Sequence, residues 1–181
     1  MIARCWLCLL ILFPALVLAA EFHVTRLNTQ LRDGVYEMDA EIDFEFSDKA
    51  LEALQNGVPL TLQVHIQLRR EGAWIWEKDQ LDVRLRYRIR YQSLPAVYQV
   101  VDLQSNTQQS FVTREAALEA LGEISGLPLV SEDRLQPDRD YLLSLYTELD
   151  IEALPLPLRP LAYLTPSWNL SSEWSTWRLQ P

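Results

Sequence analysis

Val35-Tyr-Glu-Met-Asp-Ala-Glu-Ile-Asp-Phe-Glu-Phe46 decides the fold of this chain. The acids Glu37, Asp39, Glu41, Asp43 and Glu45 alternate with Tyr36, Met38, Ala40, Ile42, Phe44 and Phe46. Val83-Arg-Leu-Arg-Tyr-Arg-Ile-Arg-Tyr91 repeats the pattern in the opposite charge, with Arg84, Arg86, Arg88 and Arg90 between apolar or aromatic residues. Side chains on a strand point to opposite faces with period two. Each stretch therefore predicts a strand with one apolar face and one charged face, the signature of half-buried antiparallel β-structure.

Working outward, Phe22 to Leu31 reads as a first strand, and Asp33-Gly34 as a tight hairpin turn into the acidic strand. Ser47-Asp48 caps a short helix, Lys49 to Gln55, which Asn56-Gly57 and Pro59 stop. Leu60, Leu62, Val64, Ile66 and Leu68 form the apolar face of another strand. Glu71-Gly72 turns it, and Ala73 to Glu77 reads as a short continuation carrying Trp74 and Trp76 on one face. After the arginine strand and a turn at Ser93 to Ala96, Val97 to Leu103 is apolar on both faces, as in a central strand. A short strand through Val112 leads to a helix, Arg114 to Ile124, capped by Thr113 and ended by Gly126 and Pro128. Residues 127–140 read as loop, and Tyr141 to Leu149 as a long strand. Leu154-Pro-Leu-Pro-Leu-Arg-Pro-Leu161 reads as an extended surface segment, neither helix nor central strand. Glu173 to Leu179 reads as a terminal edge strand. The sum is an all-β, mainly antiparallel β-sandwich with two short connecting helices.

The first twenty residues stand apart. Arg4 supplies a positive start, Cys5 to Leu18 an apolar run broken only by Pro14, and Val17 to Ala20 the small residues of a cleavage site. These are the parts of a secretory signal peptide, and the run is short of the about 20 residues that span a bilayer. The expectation is a signal at residues 1–20, cleaved after Ala19 or Ala20, and one periplasmic or secreted domain over 21–181 with a Pro/Trp-rich tail. Retained, residues 5–20 anchor the domain to the inner membrane, the only route to membrane contact in this reading. Cys5 and Cys8 both lie in this segment, so the mature chain has no thiolate for disulfides or zinc. Its core has to hold it together.

The net charge of −9 becomes one unit more negative once Arg4 is removed. That balance excludes nucleic acid as an expected partner. His23 and His65 are far apart, in no metal-binding spacing, and read as surface or edge residues. There is no G-x-S-x-G elbow, and five glycines in all leave no glycine-rich phosphate loop. Asp138/Asp140 and Asp150/Glu152 are the kind of carboxylate pair that glycoside hydrolysis uses, but any acidic chain offers such pairs. The expectation is therefore no enzyme, no metal and no cofactor.

Two candidate surfaces remain. Trp168, Trp174 and Trp177 crowd the tail, and exposed indoles anchor interfaces or stack on sugars. Folded back instead, they close the sandwich. The arginine stripe, Arg84, Arg86, Arg88 and Arg90, is either a solvated strand face or a ridge that steers a partner. Beside the acidic strand it would make cross-strand ion pairs; apart from it, separate acidic and basic ridges. Ala50-Leu-Glu-Ala-Leu54 and Ala117-Leu-Glu-Ala-Leu121 echo each other, as an internal duplication or as two independent runs of helix formers.

The Ser47-Asp48 cap, Gly57-Val-Pro-Leu60, the strand rich in Arg and Tyr, Leu154-Pro-x-Pro-Leu158 and Trp168-x-Leu-x-Ser-x-Trp174-x-x-Trp177 together resemble the proteobacterial envelope family described as domain of unknown function 4390. The resemblance covers nearly the whole mature chain and implies no activity or cofactor. Members of that family are often encoded beside a two-component sensor kinase, which implies an envelope partner near such a sensor. The expected function is an exported non-enzymatic binding or interaction module. The alternatives are envelope glycan binding or processing through the C-terminal tryptophans, and a membrane-anchored assembly factor.

Overall fold

A computed structural model describes residues 21–74 and 76–179; the expected signal segment lies outside the described residues. Among the described residues nine strands form two antiparallel sheets. The smaller sheet has the order β1-β2-β7, with β1 at Phe22–Arg32, β2 at Val35–Phe44 and β7 at Glu123–Ser131. The larger has the order β6-β5-β4-β3-β8-β9. Its strands are β3 (Leu60–Arg70), β4 (Leu81–Gln92), β5 (Val97–Asp102), β6 (Gln108–Phe111), β8 (Tyr141–Leu149) and β9 (Ser175–Arg178). The chain is an all-β sandwich, as the alternation predicts.

Period two explains the core. Met38, Ala40, Ile42 and Phe44 of β2 are buried, as are Leu60, Leu62, Val64, Ile66 and Leu68 of β3 and Tyr141, Leu143, Leu145 and Leu149 of β8. Burying each large aliphatic side chain stabilises the fold by about 1.5–3 kcal/mol. β3 pairs along its length with both β4 and β8, which makes it the central strand of the large sheet. Asp33 and Gly34 both take positive φ, 51° and 76°, as the two-residue turn between β1 and β2 requires.

The acidic and arginine strands are in different sheets, so their stripes do not pair. The acidic stripe engages its neighbours instead. Arg26 pairs with Glu41, and Arg32 with Glu37 at 3.2 Å. Asp39 accepts hydrogen bonds from the Gly126 N–H at 2.8 Å and from Gln30 Nε2 at 3.2 Å.

Helix α1 (Asp48–Gln55) is capped by Ser47, whose Oγ accepts from the Ala50 N–H and donates to the Ser167 carbonyl at 2.6 Å. Helix α2 (Arg114–Gly122) is capped by Thr113 and runs directly into β7. It stops at Gly122, earlier than expected, because the backbone there closes on β2: a Cβ on Gly122 would sit 2.0 Å from the Ile42 carbonyl oxygen. The two echoed runs fall on these helices but feed different sheets, α1 into β3 and α2 into β7.

Three expectations need correction. Residues 127–140 are not all loop, since β7 extends to Ser131 and pairs with β2 through two register shifts. β7 is an edge strand, where Pro128 is tolerated and bulges absorb the irregularity. The Pro-rich tail does contain a helix, α3 (Arg159–Leu164). Pro160 lies in its first turn, where a missing N–H costs nothing. Finally, Trp74 and Trp76 are not on a strand but in the turn region between β3 and β4.

Candidate functional site

The outward face of the six-stranded sheet gathers most of the residues singled out from sequence. Because Leu85 and Ile89 of β4 are buried, the alternation turns Arg84, Arg86, Arg88 and Arg90 outward, and all four are exposed. Two-residue steps of about 6.6 Å spread the four guanidinium stems over about 20 Å of strand. Arg86 reaches Asp150 at 3.4 Å. Arg88 and Arg90 make no ion pair among the described residues, so that end of the row is unopposed positive charge.

An aromatic shelf adjoins the row. The segment before β9 is stitched to β8: Leu149 donates to the Leu170 carbonyl at 2.8 Å, Ser172 to the Thr147 carbonyl at 2.8 Å, and Thr147 to Ser172 Oγ at 3.0 Å. The chain then carries Trp174 over β8, where its indole stacks on Tyr146, with centroids 5.2 Å apart and planes 24° apart. The His65 ring meets the indole edgewise at 5.1 Å. Cross-strand register sets Tyr146 beside His65 and His65 beside Arg84. Trp174, Tyr146, His65 and Arg84 therefore form one continuous strip across three strands.

Hydrogen bonds fix this strip. His65 Nε2 lies 2.7 Å from Asp82 Oδ1. That bond, chiefly, holds the Asp82 carboxyl below its usual range, with Arg84 adding to the effect. Tyr146 donates to Glu148 Oε2 at 3.0 Å, and Gln63 donates to Glu148 Oε1 at 3.0 Å. Burial pushes the Tyr146 phenol up, and the adjoining Glu148 carboxylate adds to the shift. Ordered rings beside cations suit a planar or apolar group carrying negative charge.

The remaining tryptophans divide. Trp168 is 4% exposed and belongs to the core, and Trp177 on β9 pairs with Leu143 and packs inward. Trp168 is therefore not a contact residue, which corrects the reading of the whole tail as one surface, while Trp177 is partly buried against the core. Trp174, at 47% exposure, is the tail indole that faces outward. Trp74 and Trp76 stack on each other at 5.1 Å and 11°, exposed at the far end of the sheet.

His65 also corrects an expectation. It is buried on the central strand, not at a surface or edge, whereas His23 is exposed on edge strand β1. His65, Asp82, Tyr146 and Glu148 were missed as site residues. The alternation of Tyr141 to Leu149 already turns Tyr146 and Glu148 outward; only the pairing of β3 with β4 and β8 brings the four together.

Elsewhere, a cleft of about 730 Å³ between β2 and α2 is lined by Glu41, Asp43, Glu115, Glu119 and Glu123. Among the described residues no group of three His, Cys, Asp or Glu converges as a metal ion needs. No described helix is long and apolar enough to cross a membrane.

No match is found among curated proteins or among solved structures. Residues 19–178 match the family described as Domain of unknown function (DUF4390), and by that match, which spans both sheets and the strip from Trp174 to Arg84, the chain belongs to the DUF4390 family.

Proposed function

We propose that this protein is an exported, non-enzymatic binding module that engages an envelope protein through the outward face of its six-stranded sheet. The observation that carries the reading is the meeting of Trp174 with the arginine row on one face. A stacked aromatic anchor bordered by Arg is the composition of an interface hot spot. The unopposed Arg88 and Arg90 favour an acidic patch on the partner and speed its encounter. The family resemblance is the ground for placing that partner near an envelope sensor.

The test is in-cell crosslinking of the tagged protein followed by mass spectrometry, with Trp174→Ala and Arg88→Glu variants checked for folding by circular dichroism. A partner captured by the parent chain and lost from both folded variants is the expected result. A partner retained by both variants contradicts the proposal.

A second reading, recognition of envelope glycans, is favoured by one observation: the half-exposed Trp174 indole lies beside Tyr146 and the Glu148 carboxylate. An indole face for stacking and a carboxylate for sugar hydroxyls are what a saccharide site needs. Titration with soluble peptidoglycan fragments, read by tryptophan fluorescence, checks it; a response that survives Trp174→Ala rules out this face.

A further inference from the structure

Ten large hydrophobic residues are exposed among the described residues, and six of them lie at one end of the sandwich. These are Leu94, Val112, Leu156, Leu161, Tyr163 and Leu164, each more than half exposed. Leu94 is in the turn between β4 and β5. Val112 follows Phe111, which pairs with Tyr98 beside that same turn. Leu161 and Leu164 are one helical turn apart on α3, which buries Ala162 and so turns them outward. Tyr163 stands between them and donates to Glu152.

The chain enters the domain at this same end. Phe22 donates to the Ser171 carbonyl at 3.3 Å, and its ring packs edgewise on Phe44 at 4.9 Å and Phe46 at 5.5 Å. Ser47 follows and ties α1 to Ser167, in the short turn that packs on α3. Upstream of Glu21 only Ala19 and Ala20 separate the domain from the apolar run Cys5 to Leu18. Three residue steps reach about 10 Å.

We propose that this end of the sandwich docks on the lipid bilayer. The apolar run enters a membrane whether it is a leader in transit or a retained anchor. Its short connection then brings the α3 end, and not the Trp74–Trp76 end, against the lipid. Leucines with a tyrosine whose hydroxyl keeps a polar partner are the side chains that settle at the boundary between acyl chains and headgroups. Arg90, one strand step from this end and free of an ion pair among the described residues, is placed for anionic headgroups. The exposed leucines are otherwise a standing cost to solubility. Arg90 is the one residue this end shares with the binding face; the exposed leucines and Tyr163 that carry the proposal are not part of that face.

The test uses the full chain with Cys5→Ser and Cys8→Ser, synthesised cell-free with vesicles of phosphatidylethanolamine and phosphatidylglycerol. A single environment-sensitive dye is attached at Leu164→Cys or, independently, at Leu161→Cys. Leu31→Cys, exposed at the opposite end, is the control. The expected result is a blue shift at 164 and 161, with loss of more than half of the emission when the vesicles carry a nitroxide on the acyl chain, and neither change at 31. A blue shift without acyl-chain quenching overturns the proposal, because protein then covers the patch, either residues 5–18 or a second chain. Unshifted emission at both positions also overturns it.

Discussion

Trp174 stacks on Tyr146 across the seam between the C-terminal segment and β8, with ring centroids 5.2 Å apart. The contact places an aromatic surface at the end of a strip that continues through His65 to Arg84. It also separates two kinds of tail tryptophan, one that faces solvent and one that fills the core. Their energetic signatures differ accordingly.

Trp168→Ala removes a buried indole and is expected to cost about 3–5 kcal/mol, as large-to-small core changes do. Trp174→Ala loses an aromatic pair and part of an exposed surface, about 0.5–1.5 kcal/mol. Urea unfolding of both variants beside the parent checks the contrast. Equal losses contradict the assignment of Trp174 to a surface role.

Gly122 is where α2 closes on β2, and its Cβ has no room before the Ile42 carbonyl. Backbone cannot yield as a flexible side chain can. Gly122→Ala is therefore expected to destabilise by about 1–3 kcal/mol. Glu119→Ala, on the exposed side of the same helix, is expected to stay within about 0.5 kcal/mol of the parent. Thermal unfolding of the two variants distinguishes a packing clash from a helix-propensity effect, which would favour alanine at both sites.

Burial, with the Asp102 carboxylate adding, raises the Tyr87 phenol from 10.0 to about 12. A folded-state value above the unfolded one means stability that is full below pH 10 and lost as pH rises through about 12. Tyr87→Phe removes the ionisable group, so its stability is expected to fall less steeply over that window. Urea midpoints taken at rising alkaline pH give the comparison.

At acid pH the informative group is Asp82, lowered from 3.8 chiefly by its hydrogen bond from His65. Its contribution is present above the ordinary value and lost as pH falls through the lowered one. In His65→Ala the Asp82 titration, followed by carboxyl-carbon NMR, is expected to move up towards 3.8. An unmoved midpoint would show that the His65 contact does not persist in solution.

The two strands with alternating charge were legible because each buries one face and solvates the other, so period two is written in residue type. β7 was not, because Gly126 and Pro128 break the pattern and an edge strand tolerates both. α3 was hidden by its prolines, which suit a first helical turn as well as an extended chain. Arg84 to Arg90 and Trp174 were legible as side-chain types, yet as two separate surfaces. Their union depends on β3 lying between β4 and β8, a pairing that no residue type encodes. For the same reason His65 read as a surface residue: its polarity says outward, while the Trp174 indole that covers it comes from more than a hundred residues downstream.

The most direct measurement of the central claim is site-specific photo-crosslinking in living cells. A photoreactive residue is placed at Arg88 on the arginine face and, separately, at Glu41 on the opposite, acidic face. The account predicts a discrete crosslinked species from position 88 that Trp174→Ala removes, and none from position 41. A species from position 41 alone, or one from position 88 indifferent to Trp174, would contradict it.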